Sequence, residues 1–296
     1  MSDPSKLPQI VDETFQNHWV EDLSNEAYHA DKTAVSSSPL KTMLKSPYSF
    51  FDYITRDRKK LATEQMKIGS AVHTLLLEKH LFPKLYVAEP RFVTKKKNGE
   101  GESHLTTEAK AMKAAWKESL DPAAVVLTEE NFQTAYSMVE SVYEHPHAKA
   151  TLEIGKPELS GYYRDPETGI KCRIRPDLYV PEYGILLDVK TTEMDCSAEA
   201  FSRNIWSWRY DFQMGMYCEG IKAITGHEPK LVLFLVIESK PPYEVCLYEC
   251  DQELLDKGKK DYRIAINRLK SCLITGKWDR IQNQTGVISL PPWALK

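Results

Sequence analysis

Two neighbouring apolar runs, CRIRPDLYV (172–180) and GILLDVKTT (184–192), carry polar residues at alternating positions. That period is the signature of β-strands, whose successive side chains point to opposite faces. Asp188 and Lys190 therefore share a face. Pro181-Glu182-Tyr183-Gly184 joins the runs as a candidate hairpin loop. A four-residue loop pairs Val180 with Ile185, which sets Asp177 opposite Asp188. Before these runs, Asp165-Pro166-Glu167-Thr168-Gly169 is a turn, so 158–164, 169–180 and 184–192 read as a three-strand meander. Two further strands, 230–237 and 243–250, flank Lys240-Pro241-Pro242.

Helical patterns occupy the rest. Ser38-Pro39 and Ser46-Pro47 each pair a capping serine with a proline suited to a first helical turn, so two short helices are expected there. Ile68, Val72, Leu75 and Leu76 form the stripe of a helix over 64–80, with Gly69 one turn before His73. That glycine lets another element approach the histidine side of the helix. Helices are also expected over 106–120, 128–144, 198–225 and 251–275. Arg91 to Ser103, with Lys95-Lys96-Lys97 at its centre, reads as a loop. The order predicts an α/β chain with a mixed central β-sheet flanked by helices and a helical N-terminal part. The expected organisation is an arm over 1–33, one domain over 34–275 (helical part 34–155, core 156–275) and a tail over 276–296.

Composition narrows the class. The 296 residues are 42% hydrophobic and 27% charged, as in water-soluble domains. No run approaches the roughly 18 apolar residues of a membrane span, and the start MSDPSKLPQI lacks a secretory pattern. A cytoplasmic protein with no membrane partner is expected. The six cysteines form no C-x-x-C pair and read as reduced core thiols; the Cys246/Cys250 spacing leaves a minor metal-site alternative. A net charge of −3 neither announces nor excludes a nucleic-acid binder, because phosphate affinity depends on where the basic residues lie.

The candidate chemistry sits on the hairpin. Two carboxylates and an ammonium at one spot are the equipment of metal-assisted phosphodiester hydrolysis. Asp177 and Asp188 are candidate ligands, with the Val189 carbonyl a further oxygen. Lys190 would orient water or offset transition-state charge. Glu158, at the start of the first meander strand, offers another carboxylate or a solvated strand end. Gln213 and Tyr217 lie one helical turn apart, either as a half-buried polar pair or, beside the two aspartates, as groups that hydrogen-bond a phosphate or the attacking water.

G-S-A-V-H (69–73), R-P-D (175–177), D-V-K-T-T (188–192) and Q-M-G-M-Y (213–217) together resemble the PD-(D/E)xK nucleases, and more narrowly the exonuclease VIII (RecE-like) group, a kind often carried by phages or prophages. The two serine-proline helices resemble that group's N-terminal region. The resemblance implies metal ligands at His73, Asp177 and Asp188 and a catalytic Lys190. Glu158 matches an upstream acidic position, and Gln213 and Tyr217 match a helix motif. It further implies a Mg²⁺-dependent exonuclease, with Mn²⁺ as a substitute. Such an enzyme digests the 5′-ended strand of linear double-stranded DNA and leaves a 3′ tail. A homo-oligomeric ring (trimer or tetramer) and a RecT-like single-strand annealing protein are the implied partners, and recombination or repair the implied setting. Two other readings remain: a structure-specific or restriction-type endonuclease, and a catalytically inactive DNA-binding module.

Candidate phosphate contacts are Lys41, Lys45, Arg164, Arg173, Arg175, Arg203 and Arg209, with Ser38 and Ser46 at helix starts that favour anions. Arg173 and Arg175 share strand parity with Asp177; Arg175 has the alternative of neutralising the carboxylates. Trp206 and Trp208 are candidates for a wedge between base pairs or for packing.

Overall fold

A computed structural model describes residues 7–56, 62–95, 102–281 and 286–290. The chain opens with β1 (His18–Val20), α1 (Asn25–Ala30) and α2 (Ser37–Leu40). A 3-10 turn (Lys41–Leu44) leads to α3 (Pro47–Thr55), α4 (Glu64–Leu77), α5 (Phe82–Leu85) and β2 (Tyr86–Glu89). Next come β3 (Thr94–Lys95), β4 (Glu102–Ser103), α6 (Thr107–Glu118), β5 (Val125–Thr128), α7 (Glu129–Glu144) and α8 (Pro146–Ile154). The second half holds β6 (Lys156–Pro157), β7 (Ser160–Arg164), β8 (Lys171–Ile174), β9 (Leu178–Val180), β10 (Ile185–Thr192) and α9 (Ala198–Trp208). It closes with α10 (Tyr210–Thr225), β11 (Leu231–Glu238), β12 (Val245–Glu249) and α11 (Gln252–Thr275).

The five-stranded central sheet runs β12-β11-β10-β9-β6. The β10–β11 pair is parallel and its neighbours are antiparallel, so the sheet is mixed and the fold is α/β. A parallel pair needs a long crossover, and α9 with α10 supplies it. Both faces of the sheet are covered. Leu187, Val189, Leu233 and Leu235 pack in one core with Val72, Leu75 and Met138 of α4 and α7. Leu186, Val232, Phe234 and Val236 pack in the other with Met214, Ile221, Ile266 and Leu269 of α10 and α11. Where α10 crosses α11, Gly215 and Gly258 meet so closely that a Cβ on either would strike the other helix's backbone.

The hairpin between β9 and β10 has the expected register: Val180 faces Ile185, and Gly184 at φ 67° closes the loop. The meander does not hold as one sheet. Strand pairing stops at Ile174 and resumes at Leu178. Pro176, which has no N–H to donate, sits in that gap. As a result β7 and β8 join β1 in a separate three-stranded sheet. The expected arm is part of this fabric: His18–Val20 pair with Ser160–Tyr162, and Tyr28 is buried. The single helix expected over 198–225 is two, broken at Arg209, whose φ is 57°. The expected loop from Arg91 to Ser103 contains the short β3–β4 pair; Lys96 and Lys97 lie outside the described residues. The cysteine contact is Cys196 to Cys246, with sulfurs 2.9 Å apart, rather than Cys246 to Cys250. Among the described residues no helix is long and apolar enough to cross a membrane.

Candidate active site

The hairpin places Asp177 just before β9 and Asp188-Val189-Lys190 in the middle of β10. Pairing ends at Leu178–Leu187, and Asp177 then turns its side chain to the next strand: Oδ2 accepts from the Val189 N–H at 2.6 Å. Glu158 lies between β6 and β7 in the left-handed region, with φ 48°, and its N–H donates to the Asp177 carbonyl at 3.1 Å. A non-glycine residue in that region carries backbone strain, which is retained where the surroundings dictate a side chain's direction. His73 arrives from α4, on the opposite side of the strand pair. Gly69 makes that approach possible, since a Cβ there would lie 2.9 Å from Thr191 Oγ1.

The result is a cluster of His73, Glu158 and Asp177 whose ligand atoms all lie within 4.8 Å of one another. His73 Nδ1 is 3.7 Å from Asp177 Oδ2, and the Val189 backbone also hydrogen-bonds the His73 ring. One imidazole and two carboxylates in partial contact with solvent fit a divalent cation. Asp188 stands beside this trio rather than in it. It is fully buried, ion-paired through Oδ2 with Lys190, and accepts from Gln213 Nε2 at Oδ1 (2.8 Å).

Lys190 has three supports. Its ammonium pairs with Asp188, donates to Gln213 Oε1 at 3.4 Å, and sits 4.5 Å from the centre of the Tyr210 ring. Tyr210, Gln213 and Tyr217 occupy one face of α10 at i, i+3 and i+7. Tyr217 is buried; its hydroxyl accepts from Gln213 at 3.1 Å and donates to the Arg175 carbonyl at 2.9 Å. It therefore braces Gln213 instead of reaching a substrate. Tyr210 escaped the sequence reading, although its spacing from Gln213 was available as a signal.

Electrostatics follow from crowding acids in a confined space. Burial, then the neighbouring Asp177, pushes the Glu158 carboxyl up to about 8. Burial raises Asp188 to about 6 against the pull of Lys190, and raises Asp177 in the same contest. Burial opposes the Lys190 charge, but Asp188 and Asp177 outweigh it and hold its pKa above the ordinary lysine value. Burial, then Lys190, depresses His73 to about 4, so its ring is neutral and ready to ligate near neutral pH.

A cleft of about 900 Å³ opens over the cluster; His73, Glu158, Lys190 and Thr191 are in its wall. The candidate phosphate contacts are mostly engaged elsewhere. Arg173 is buried, donates to the Tyr28 and Asp31 carbonyls, and stacks over the Tyr28 ring. Arg175 is buried 4.1 Å from the centre of the same ring, donating to Ser160 Oγ (2.8 Å) and the Leu23 carbonyl (2.7 Å). Its Nε is 3.8 Å from Glu158, so the neutralising alternative describes it. The break at Pro176 removed the strand parity that linked both arginines to Asp177. Arg164 donates to the Val11 carbonyl, and Arg209 pairs with Asp211 and Asp261. Arg203 pairs with Glu199 on the exposed face of α9. Lys41 donates to the Trp208 carbonyl at 2.9 Å. Ser46 caps α3 by accepting from the Ser49 N–H at 3.1 Å and is buried, whereas Ser38 lies within α2 and borders a separate pocket with His29 and Arg56.

Over residues 36–284 the sequence matches the family described as "PDDEXK-like domain of unknown function (DUF3799)". The chain belongs to this family. No curated protein matches it. The fold is similar to the crystal structure of a candidate exonuclease from Eubacterium rectale, with TM-score 0.58 and 14% identity over 93% of this chain and 98% of that one. A phage-related exonuclease from Haemophilus somnus is also matched, at TM-score 0.29 and 14% identity over 70% of this chain and 95% of that one. The PDDEXK-like assignment rests on the family match and on the mixed sheet with its Asp177, Asp188, Lys190 set.

Proposed function

We propose that this protein is a Mg²⁺-dependent exodeoxyribonuclease of the RecE-like kind. It degrades the 5′-ended strand of linear duplex DNA and leaves 3′ single-stranded tails for strand annealing. The observation that carries this reading is the convergence of His73, Glu158 and Asp177 beside the Asp188–Lys190 pair. His73, Glu158 and Asp177 would hold the ion, with Asp188 next to them. When bound, such an ion offsets charge on the phosphate and acidifies water.

The protein's own groups do the rest. Lys190 keeps a fixed positive charge at the cleft wall, where it orients a water molecule or offsets charge on the pentavalent phosphate. Asp188 and Gln213 fix its position from behind, and Tyr217 fixes Gln213. Without an ion, Glu158 keeps a proton near neutral pH, since burial and Asp177 hold its carboxyl near 8, and it would release that proton on ligating an ion. A ring-shaped homo-oligomer, a RecT-like annealing partner, Mn²⁺ as a substitute and a prophage setting belong to the same proposal.

The test is digestion of linear duplex in Mg²⁺ with opposite ends labelled, with a closed circle and Lys190→Ala protein as controls. Loss of the 5′-labelled strand from linear DNA alone, absent in the variant and in chelator, supports the proposal. Cutting of the circle would replace it with an endonuclease, and cutting of neither with a DNA-binding module.

A further inference from the structure

We infer that Trp208 is a stacking platform for an unpaired nucleobase at the mouth of the cleft; this inference rests on the nuclease reading above. Helix α9 turns one face toward the cleft, carrying Phe201, Asn204 and Trp208 at i, i+3 and i+7. Phe201 is buried against Phe234 and Tyr248 and anchors the helix. The same face then leaves the core. Asn204 is half-buried, and Trp208 is 61% exposed at the wall shared with His73, Glu158 and Lys190.

An exposed indole offers a broad flat apolar face on which a planar ligand can stack. Trp206 provides the contrast. It is also exposed, at 65%, but Arg209 and Lys257 lie over its ring at 5.4 and 5.7 Å. Among the described residues no ring or cation covers the Trp208 indole in this way.

The backbone beneath Trp208 is held firmly. Lys41 donates to its carbonyl at 2.9 Å. The next residue, Arg209, takes a left-handed conformation and is fixed by Asp211 and Asp261. A platform fixed in advance loses little freedom when a ligand stacks on it.

Charge favours a base on the indole, with the scissile phosphate left to the metal cluster and Lys190. Glu26, Glu78, Glu158 and Glu193 line the cleft against the cations Lys84 and Lys190. Without an ion, that balance disfavours phosphate on the rest of the wall. A neutral π face does not meet that repulsion, and the Asn204 amide next to the indole can hydrogen-bond a base edge.

The experiment measures equilibrium binding of the full chain to a labelled duplex with a three-nucleotide unpaired end. It is run in EDTA and again in Ca²⁺, with intact or abasic nucleotides at the unpaired positions. Trp208→Ala should weaken binding of the intact end about tenfold, in the range for stacking on one aromatic side chain. The abasic end should weaken wild-type binding similarly but weaken the variant no further, because the two changes remove one interaction. Trp208→Phe should recover most of the affinity, and Trp206→Ala should bind as wild type. Equal losses on intact and abasic ends, or wild-type binding by Trp208→Ala, would overturn the inference while leaving the nuclease reading in place. So would a smaller oligomer for Trp208→Ala in sedimentation with DNA binding unchanged, which would assign the indole to a subunit contact. Absence of wild-type DNA binding in both buffers would overturn both.

Discussion

The Gln213 side-chain amide reaches both members of the Asp-x-Lys pair: Nε2 donates to Asp188 at 2.8 Å, and Oε1 accepts from Lys190 at 3.4 Å. One neutral group thus satisfies a buried anion and a half-buried cation together. Removing it leaves Lys190 to the ion pair and the Tyr210 ring. Gln213→Ala should lower cleavage about 10- to 100-fold, the usual cost of losing a group that orients an active-site residue. Gln213→Glu should do more harm, since it places a second carboxylate against Asp188. Steady-state cleavage together with a thermal melt would separate positioning from unfolding.

Lys190→Ala strips the ammonium from a fully buried aspartate. Cleavage should be lost. The stability cost should be about 3–5 kcal/mol where Asp188 is ionised. It should shrink in acid, because Asp188, already at about 6 with Lys190 present, then protonates and becomes neutral. Melts at pH 5 and pH 8 check this. The double variant Asp188→Asn, Lys190→Met should regain stability without regaining cleavage.

Glu158 links metal binding to pH. Its carboxyl lies at about 8 in the folded protein against an ordinary 4.5. Between those values the folded state keeps a proton that the unfolded state releases. Stability from this group is therefore present at low pH and is lost as pH rises toward 8. The melting temperature in EDTA should fall across that window, and Glu158→Gln should flatten the slope. A divalent ion must displace the same proton, so affinity should rise with pH, approaching about tenfold per pH unit below 8 for one displaced proton. Metal titrations at pH 6, 7 and 8 would show it, and a flat profile would refute it.

Gly258 sets the spacing between α10 and α11. A Cβ there would strike the Asp211 carbonyl. Gly258→Ala should cost about 3 kcal/mol or more, the upper range for overpacking, and lower cleavage by moving α10 and Gln213. Denaturant melts give the first number. An alanine variant of Gly226, whose Cβ would meet nothing, controls for general glycine effects, although its φ of 82° makes some local strain unavoidable.

Ser46→Ala tests the reassignment of that serine from phosphate contact to helix cap. It should lower stability by about 1 kcal/mol, typical for a lost cap, and digest 5′-phosphorylated and unphosphorylated ends in the parental ratio. A selective loss on phosphorylated ends would restore the anion-site reading.

Residues whose placement depends on local geometry were legible in the sequence. Strand period put Asp188 and Lys190 on one face, loop length fixed the Val180–Ile185 register, and helix period aligned Gln213 with Tyr217. These relationships span a few residues and follow from backbone geometry alone. Arg173 and Arg175 obeyed the same period only until Pro176 ended the strand, and burial under the N-terminal segment then decided their partners. The meeting of His73 with Glu158 and Asp177 belongs to tertiary structure. It needs α4 to press on β10 through Gly69, and Glu158 to take a left-handed backbone. The Gly69–His73 spacing signals that some element comes close, but which one, and the Glu158 backbone, depend on packing between segments remote in the chain.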